Sequence, residues 1–326
     1  MGGSVTRRHA GSDAGGSNRW GWFGAICCLG VALLLIGCGA DDRPASTTRA
    51  RETSATQGHL VIDPAEGDRL AADLGAPAAG DRPEGGQVAA PPVPSATSDD
   101  IRALPVSDPL EAAPAAAVPA IGAMVHVGDG GPENFCTASV VHSPNRNLVA
   151  TAAHCVYSDD FSVGVAFAPG YTHGEMPYGV WVPSRIDVDP RWVADRDPDF
   201  DVAFLQVRSP GTDDRIEDVT GAEQIRFDFP AEQSALLVGY PEDQHEPIDC
   251  RNRTSAFGDT QLRFDCANFP DGTSGGPMIT DIDPANGRGT LIGVIGGYQL
   301  GGDELTSYSS YFGAGISALY ERACAA

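Results

Sequence analysis

The stretch IGAMVHVGDGGPENFCTASVVHSPNRNLVAT, residues 121–151, breaks into three short apolar runs: Ile121 to Val127, Phe135 to His142 and Leu148 to Thr151. Gly, Asp, Pro and Asn separate the runs, the residue types that supply the special backbone angles of tight turns. Each run is too short for an ordinary helix and carries β-branched residues, so each reads as a strand. The same texture continues through Val163 to Ala168, Val180 to Val188, Val202 to Val207 and Ala235 to Tyr240. Gln261 to Phe264, Pro277 to Thr280, Thr290 to Ile295 and Ser309 to Ile316 complete the set. So many short strands in about 200 residues predict an all-β domain, a barrel or sandwich pair. Only the tail, Ser317 to Ala323, has a helical pattern, with Ser317 placed as its N-cap. The domain is expected over residues 119–326.

Upstream the composition changes. Residues 39–118 are Ala, Pro, Gly, Asp and Thr with almost no aromatic side chain. Such a segment buries too little apolar surface to offset its conformational entropy, so it is expected to be disordered, as a tether or a removable pro-segment. Residues 1–38 read as an export signal: Arg7, Arg8 and Arg19 precede an apolar run from Trp20 to Ile36. That run ends Leu35-Ile36-Gly37-Cys38, which resembles the lipobox of bacterial lipoproteins, and the resemblance implies lipidation of Cys38. An uncleaved membrane anchor is the alternative, since about 20 apolar residues can span a bilayer. Both readings put the domain outside the cytoplasm, at the bacterial cell surface or secreted, where disulfides form.

Charge narrows the function further. The chain has 44 acidic residues against 21 basic ones, for a net charge of −23, and every basic residue is arginine. Lysine-dependent chemistry such as Schiff-base formation or a Ser-Lys dyad is therefore excluded. A nucleic-acid partner is not expected either, because phosphate binding needs clustered positive charge.

Three segments carry chemistry: Thr151-Ala152-Ala153-His154-Cys155, Asp199-Phe200-Asp201-Val202-Ala203-Phe204-Leu205 and Asp271-Gly272-Thr273-Ser274-Gly275-Gly276-Pro277. A serine hydroxyl is a weak nucleophile and needs a base within hydrogen-bond reach. His154 can take the proton of Ser274 and return it to a leaving amine, while an aspartate fixes the imidazole tautomer. Asp201 directly precedes an apolar run, which puts it at the buried start of a strand; Asp199 is the alternative. Glycines around Ser274 allow a tight turn whose N–H groups, those of Gly272 and Ser274, form an oxyanion hole.

These segments resemble the His, Asp and Ser motifs of the trypsin/chymotrypsin family, in that chain order, over residues 121–326. The resemblance implies two six-stranded antiparallel β-barrels with His154 and Asp201 on the first, Ser274 on the second, and a short C-terminal helix. Leu236-Leu237-Val238-Gly239-Tyr240-Pro241 is similar to the second-barrel entry of bacterial glutamyl endopeptidases, which places the chain nearer that branch. The implied activity is a serine endopeptidase acting on protein or peptide substrates, with no cofactor. Disulfides Cys136–Cys155 and Cys250–Cys266 are implied as well, leaving Cys324 over. A metal site is the competing use of the cysteines, but the chain has no C-x-x-C and no H-x-x-x-H spacing.

The sequence departs from the family at the specificity pocket. Thr273 stands where trypsin-like zymogens have the aspartate that pairs with a new N-terminus. Asn268 occupies the expected pocket base, and Ile295 the position of the histidine that receives an acidic side chain in glutamyl endopeptidases. Tyr298 is expected to narrow the pocket. Neither a basic nor an acidic substrate side chain finds a buried counter-charge, so cleavage after uncharged residues is expected. The rivals are a catalytically silent binding module on this fold and a non-enzymatic surface lipoprotein.

Overall fold

A computed structural model describes residues 57–75 and 105–326, apart from positions 129 and 243. The expected export signal, with Cys38, lies outside the described residues. No helix among the described residues is long and apolar enough to cross a membrane.

The upstream segment supplies strand β1 (His59–Val61), helix α1 (Pro64–Asp73) and strand β2 (Ala113–Pro114). The first half of the domain follows with β3 (Ile121–Gly128), β4 (Gly131–Val141), β5 (Leu148–Thr151), β6 (Val165–Pro169), β7 (Val182–Val188), helix α2 (Pro190–Asp195) and β8 (Ala203–Arg208). Helix α3 (Ile216–Thr220) and β9 (Gln224–Ile225) lead into the second half. Its strands are β10 (Ser234–Gly239), β11 (Ile248–Phe257), β12 (Gln261–Asp265), β13 (Pro277–Thr280), β14 (Thr290–Val294) and β15 (Thr306–Ser310), before helix α4 (Ala314–Ala325).

Two sheets result, with orders β1-β7-β8-β5-β4-β3-β6 and β15-β12-β11-β10-β13-β14-β9. All pairs are antiparallel except β9 with β14. The six strands expected in each half are present, β3–β8 and β10–β15, and each sheet is widened by strands from outside its six. Phe167 of β6 exchanges both backbone bonds with Trp181, at 2.8 and 2.9 Å, so the first set returns to the start of β7. Each half has its own apolar core, one around Trp181, Phe167 and Trp192, the other around Phe264, Leu237 and Met278. Between them, Ile121, Ala123 and Val125 of β3 pack with Leu236 and Val238 of β10.

The expectation of disorder over 39–118 fails in two places. Residues 57–75 are ordered: β1 adds to β7 in register from His59↔Asp187 to Val61↔Arg185, and Leu60 and Ile62 are buried in the first core. Helix α1 starts on Pro64, with Asp63 accepting the Ala65 N–H at 2.8 Å as N-cap, and buries Leu70, Ala71 and Leu74 between the halves. Asp68 on α1 pairs with Arg208 of β8 at 2.8 Å. Five buried apolar side chains and one capped amphipathic helix suffice, because the domain offers a sheet edge and apolar cores for them. Residues 105–118 are ordered as well, against the second sheet. At the C-terminus the helix begins at Ala314 with Gly313 as N-cap, so Ser317 lies inside it, donating its N–H to Gly313 O. The strand expected over Ser309 to Ile316 ends at Ser310.

Glu223 ties the halves together. Its backbone bonds Val140 and His142 around β4, while its carboxyl accepts the Gly289 N–H just before β14. The side chain is fully buried, and burial pushes its pKa from 4.5 up to about 8, against the smaller opposing effects of the Gly289 bond and Arg288. The unfolded chain loses this proton near its ordinary value, the folded chain only near pH 8. The stabilisation is therefore complete below about pH 4.5 and is lost as pH rises to about 8. Glu223→Gln, neutral at all pH, is expected to match the wild type near pH 4.5 and to exceed it at pH 8 by at most on the order of 4 kcal/mol. Denaturant melts of both proteins at the two pH values check this, and an equal difference at both would contradict it.

Candidate active site

β5 ends at Thr151, and the chain then turns through a 3₁₀ turn at Ala153–Cys155 that presents His154. Cys155 is joined to Cys136 of β4, so the turn is fastened on both sides. A second 3₁₀ turn, Pro198–Phe200, delivers Asp201 to the start of β8. Asp201 is completely buried, and its carboxylate is met by three donors. His154 N–H reaches Oδ1 at 2.9 Å, while His154 Nδ1 and the Gly297 N–H reach Oδ2 at 2.8 and 2.9 Å. A buried carboxylate satisfied in this way is an acceptor only, which assigns the ring proton to Nδ1 and leaves the Nε2 lone pair free. Asp199, the alternative, instead accepts from Gln261 Nε2 at 2.8 Å.

Ser274 comes from the second half, in the turn before β13. Gly272 and Gly275 hold φ of +90° and +79°. A side chain at Gly272 would run into Glu242 N and Tyr240 O, and one at Gly275 into Thr137 O and Thr151 Oγ1. Both positions therefore require glycine for conformation and for space. Thr273 closes the turn internally, its hydroxyl donating to Pro270 O at 2.7 Å. Among the described residues, neither the Gly272 nor the Ser274 N–H donates to a protein acceptor.

Several positioning residues escape a sequence reading. Thr137 of β4 is fully buried and bridges the halves. Its N–H donates to Ser274 O at 2.7 Å, its hydroxyl donates to Gly272 O at 3.0 Å and accepts the Tyr240 N–H at 2.8 Å. From the second sheet, Ser310 Oγ donates to Pro198 O at 2.8 Å and accepts the Asp201 N–H at 3.1 Å. Gln261 donates to Pro198 O at 3.0 Å and accepts the Tyr298 N–H, beside the Gly297 donor, at 3.0 Å. The Asp201 turn is thus held by strands that follow it by more than 60 residues. No local pattern marks such residues.

A cavity of about 750 Å³ opens beside Ser274, lined by Asn268, Phe269 and Ile295 among others. Ile295 is buried, whereas Asn268 lines the cavity from an exposed, left-handed position (φ 68°) rather than from a buried base. Tyr298 does not line it; its ring packs on Phe257 and Tyr308 at centroid distances of 5.0 and 5.1 Å. The sequence reading also missed Asp271, Asp303 and Glu304, which line the cavity from exposed positions.

The second expected disulfide, Cys250–Cys266, joins β11 to the end of β12, and Cys324 is a free thiol. The donor atoms of Cys136, His154 and Cys155 lie within 4.8 Å of one another, a spacing compatible with a metal. The two sulfurs are bonded to each other, so no thiolate is available and the group does not fit a metal site.

Residues 136–294, which include His154, Asp201 and Ser274, match the model of the trypsin-like peptidase domain. A relative named extracellular metalloprotease, from Bacillus subtilis (strain 168), is 29% identical over 112 residues, 33% of this chain and 34% of that protein. The match thus spans about a third of that relative. Among solved structures, the protease Anisep from Arthrobacter nicotinovorans superposes with a TM-score of 0.57 at 23% identity, covering 65% of this chain and 99% of that one. The thermostable serine protease AL20 from an extremophilic microorganism gives 0.56 at 26% identity, covering 64% and 97%. A Glu endopeptidase gives 0.52 at 17%, covering 66% and 97%. At their identities, the first and third of these structures speak for the fold alone.

Proposed function

We propose that this chain, which carries a domain of the trypsin-like peptidase family, is an exported serine endopeptidase that cleaves after uncharged residues. The observation that supports it most is the fully buried Asp201 holding His154 by two bonds, with Gly275, the residue after Ser274, packed against Thr151 and Ala152 just before His154. Ser274 Oγ attacks the scissile carbonyl, His154 Nε2 takes its proton and returns it to the leaving amine, and Asp201 stabilises the imidazolium. The Gly272 and Ser274 N–H groups receive the developing oxyanion. Water then releases the acyl group by the same steps.

The larger buried side chains lining the cavity are apolar, Ile248, Phe269 and Ile295, with the uncharged hydroxyl residues Thr273 and Ser307 beside them, and its carboxylates are exposed. An apolar side chain gains by desolvation there, while a charged one loses its water without a buried partner. Small to medium apolar residues are therefore preferred at the cut. The apolar run and Leu35-Ile36-Gly37-Cys38 support the reading of export and a lipid anchor on Cys38, with the domain held at a bacterial membrane surface.

Labelling with a fluorophosphonate and profiling on a mixed peptide library test the reading together. Stoichiometric labelling that Ser274→Ala abolishes, with cuts after uncharged residues, is expected. Absence of labelling would overturn the enzyme; dominant cleavage after Arg or Lys would shift recognition to Asp271, Asp303 and Glu304, and after Glu would overturn the pocket.

A further inference from the structure

We infer that the segment upstream of the peptidase domain, residues 107–115, forms one wall of the substrate pocket, with Ala112 and Pro114 as specificity-determining residues. This rests on the peptidase reading above and extends it to residues outside the 136–294 match.

The segment is anchored on two elements at once. On one side, Ala112 N–H donates to Ala267 O at 2.8 Å and Ala267 N–H to Leu110 O at 3.2 Å. That fixes it against the residue before Asn268. On the other side, Ala113 and Pro114 pair with Asp249 and Ile248 of β11, and Ala115 N–H reaches Pro247 O at 2.9 Å. Ser107 N–H donates to Arg251 O at 2.9 Å, and Ser107 Oγ accepts the Arg251 N–H at 3.0 Å. The Cys250–Cys266 disulfide joins the same two elements. The segment therefore lies on a cross-linked platform, and its backbone is held as firmly as a sheet strand.

Extended backbone sends alternate side chains to opposite faces. Ala112 and Pro114 line the cavity together with Ile248, Phe269, Ile295 and Ser274, whereas Glu111 and Ala113 do not. Ala112 also packs against the second core. Its single methyl group leaves room that a larger side chain would fill. A charge at this position would sit on the cavity side of the second core and face the entering side chain.

The test compares the full-length wild type with Ala112→Phe, Ala112→Asp and Ala113→Gln, using the peptide library and fluorophosphonate labelling side by side. Ala112→Phe is expected to lower kcat/KM for medium apolar residues relative to Ala by about tenfold or more. Ala112→Asp is expected to raise cleavage after Arg and Lys by a similar factor, with Ser274 still labelled. Ala113→Gln, on the other face, is expected to keep the wild-type profile within about twofold. An unchanged profile in both Ala112 variants that retain labelling would overturn the inference and leave the peptidase standing. Equal shifts in all three variants would overturn it too, as a general disturbance of the domain. A wild type that is not labelled at Ser274 would overturn both.

Discussion

Alanine at Ser274 or at His154 is expected to lower peptidase kcat by on the order of 10⁶, and alanine at both to be hardly worse. In the proposed mechanism nucleophile and base perform one act. Without His154 the Ser274 hydroxyl keeps its proton, and without Ser274 the imidazole has no nucleophile to activate. What survives is the binding of substrate and the oxyanion donors, worth on the order of 10³–10⁴ over water. Those donors depend on Gly272, Gly275 and Thr137, none of which the substitutions touch. His154 is 18% exposed and Ser274 lies in a turn bonded through its backbone, so neither truncation opens a core. Active-site-titrated kinetics of the three variants check the claim. A double variant losing far more than either single one would mean that the two groups act independently.

Why some of this was readable in the sequence follows from where each signal is stored. The strands β3, β4 and β5 announce themselves because apolar runs and turn residues alternate over short distances. The motif residues do so because glycines at 272 and 275 and the cysteine beside His154 are local requirements of local geometry. β11 was hidden. Its central Cys250-Arg251-Asn252-Arg253 reads as polar, yet Ile248, Cys250 and Thr254 face inward while Arg251 and Arg253 point out. A two-residue period with one charged face carries the signal there, and a scan for continuous apolar runs passes over it. β1 and α1 were hidden by their neighbourhood rather than by their own residues: Asp63-Pro64 before Leu70 and Leu74 is a capped helix start embedded in a low-complexity segment. Asn268 and Tyr298 illustrate the limit. Their order in the chain places them near the cleft, but which way each side chain faces depends on a left-handed turn in one case and on Phe257 and Tyr308 in the other.

Asp201→Asn is expected to cost a factor of about 10³–10⁴ in kcat near neutral pH, with substrate binding little changed. The carboxylate meets three N–H donors, one on Oδ1 and two on Oδ2. An asparagine has one acceptor oxygen and one donor group to offer to the same three. If its amide nitrogen takes the Oδ2 place, it opposes the Gly297 N–H and can bond His154 Nδ1 only when that atom has no proton. The proton then sits on Nε2, and His154 cannot act as base. If the amide is flipped, the tautomer is right, but the amide nitrogen opposes the His154 backbone N–H in a site without solvent, at about 1–3 kcal/mol. In both orientations the negative charge that stabilises the imidazolium is gone. Asp199 supplies the control, because its carboxylate bonds Gln261 Nε2 and no atom of His154. An asparagine there keeps an acceptor for Gln261, so Asp199→Asn is expected to leave kcat within about tenfold of the wild type. Measuring both variants under one set of conditions decides between the two aspartates. A larger loss from Asp199→Asn than from Asp201→Asn would overturn the assignment.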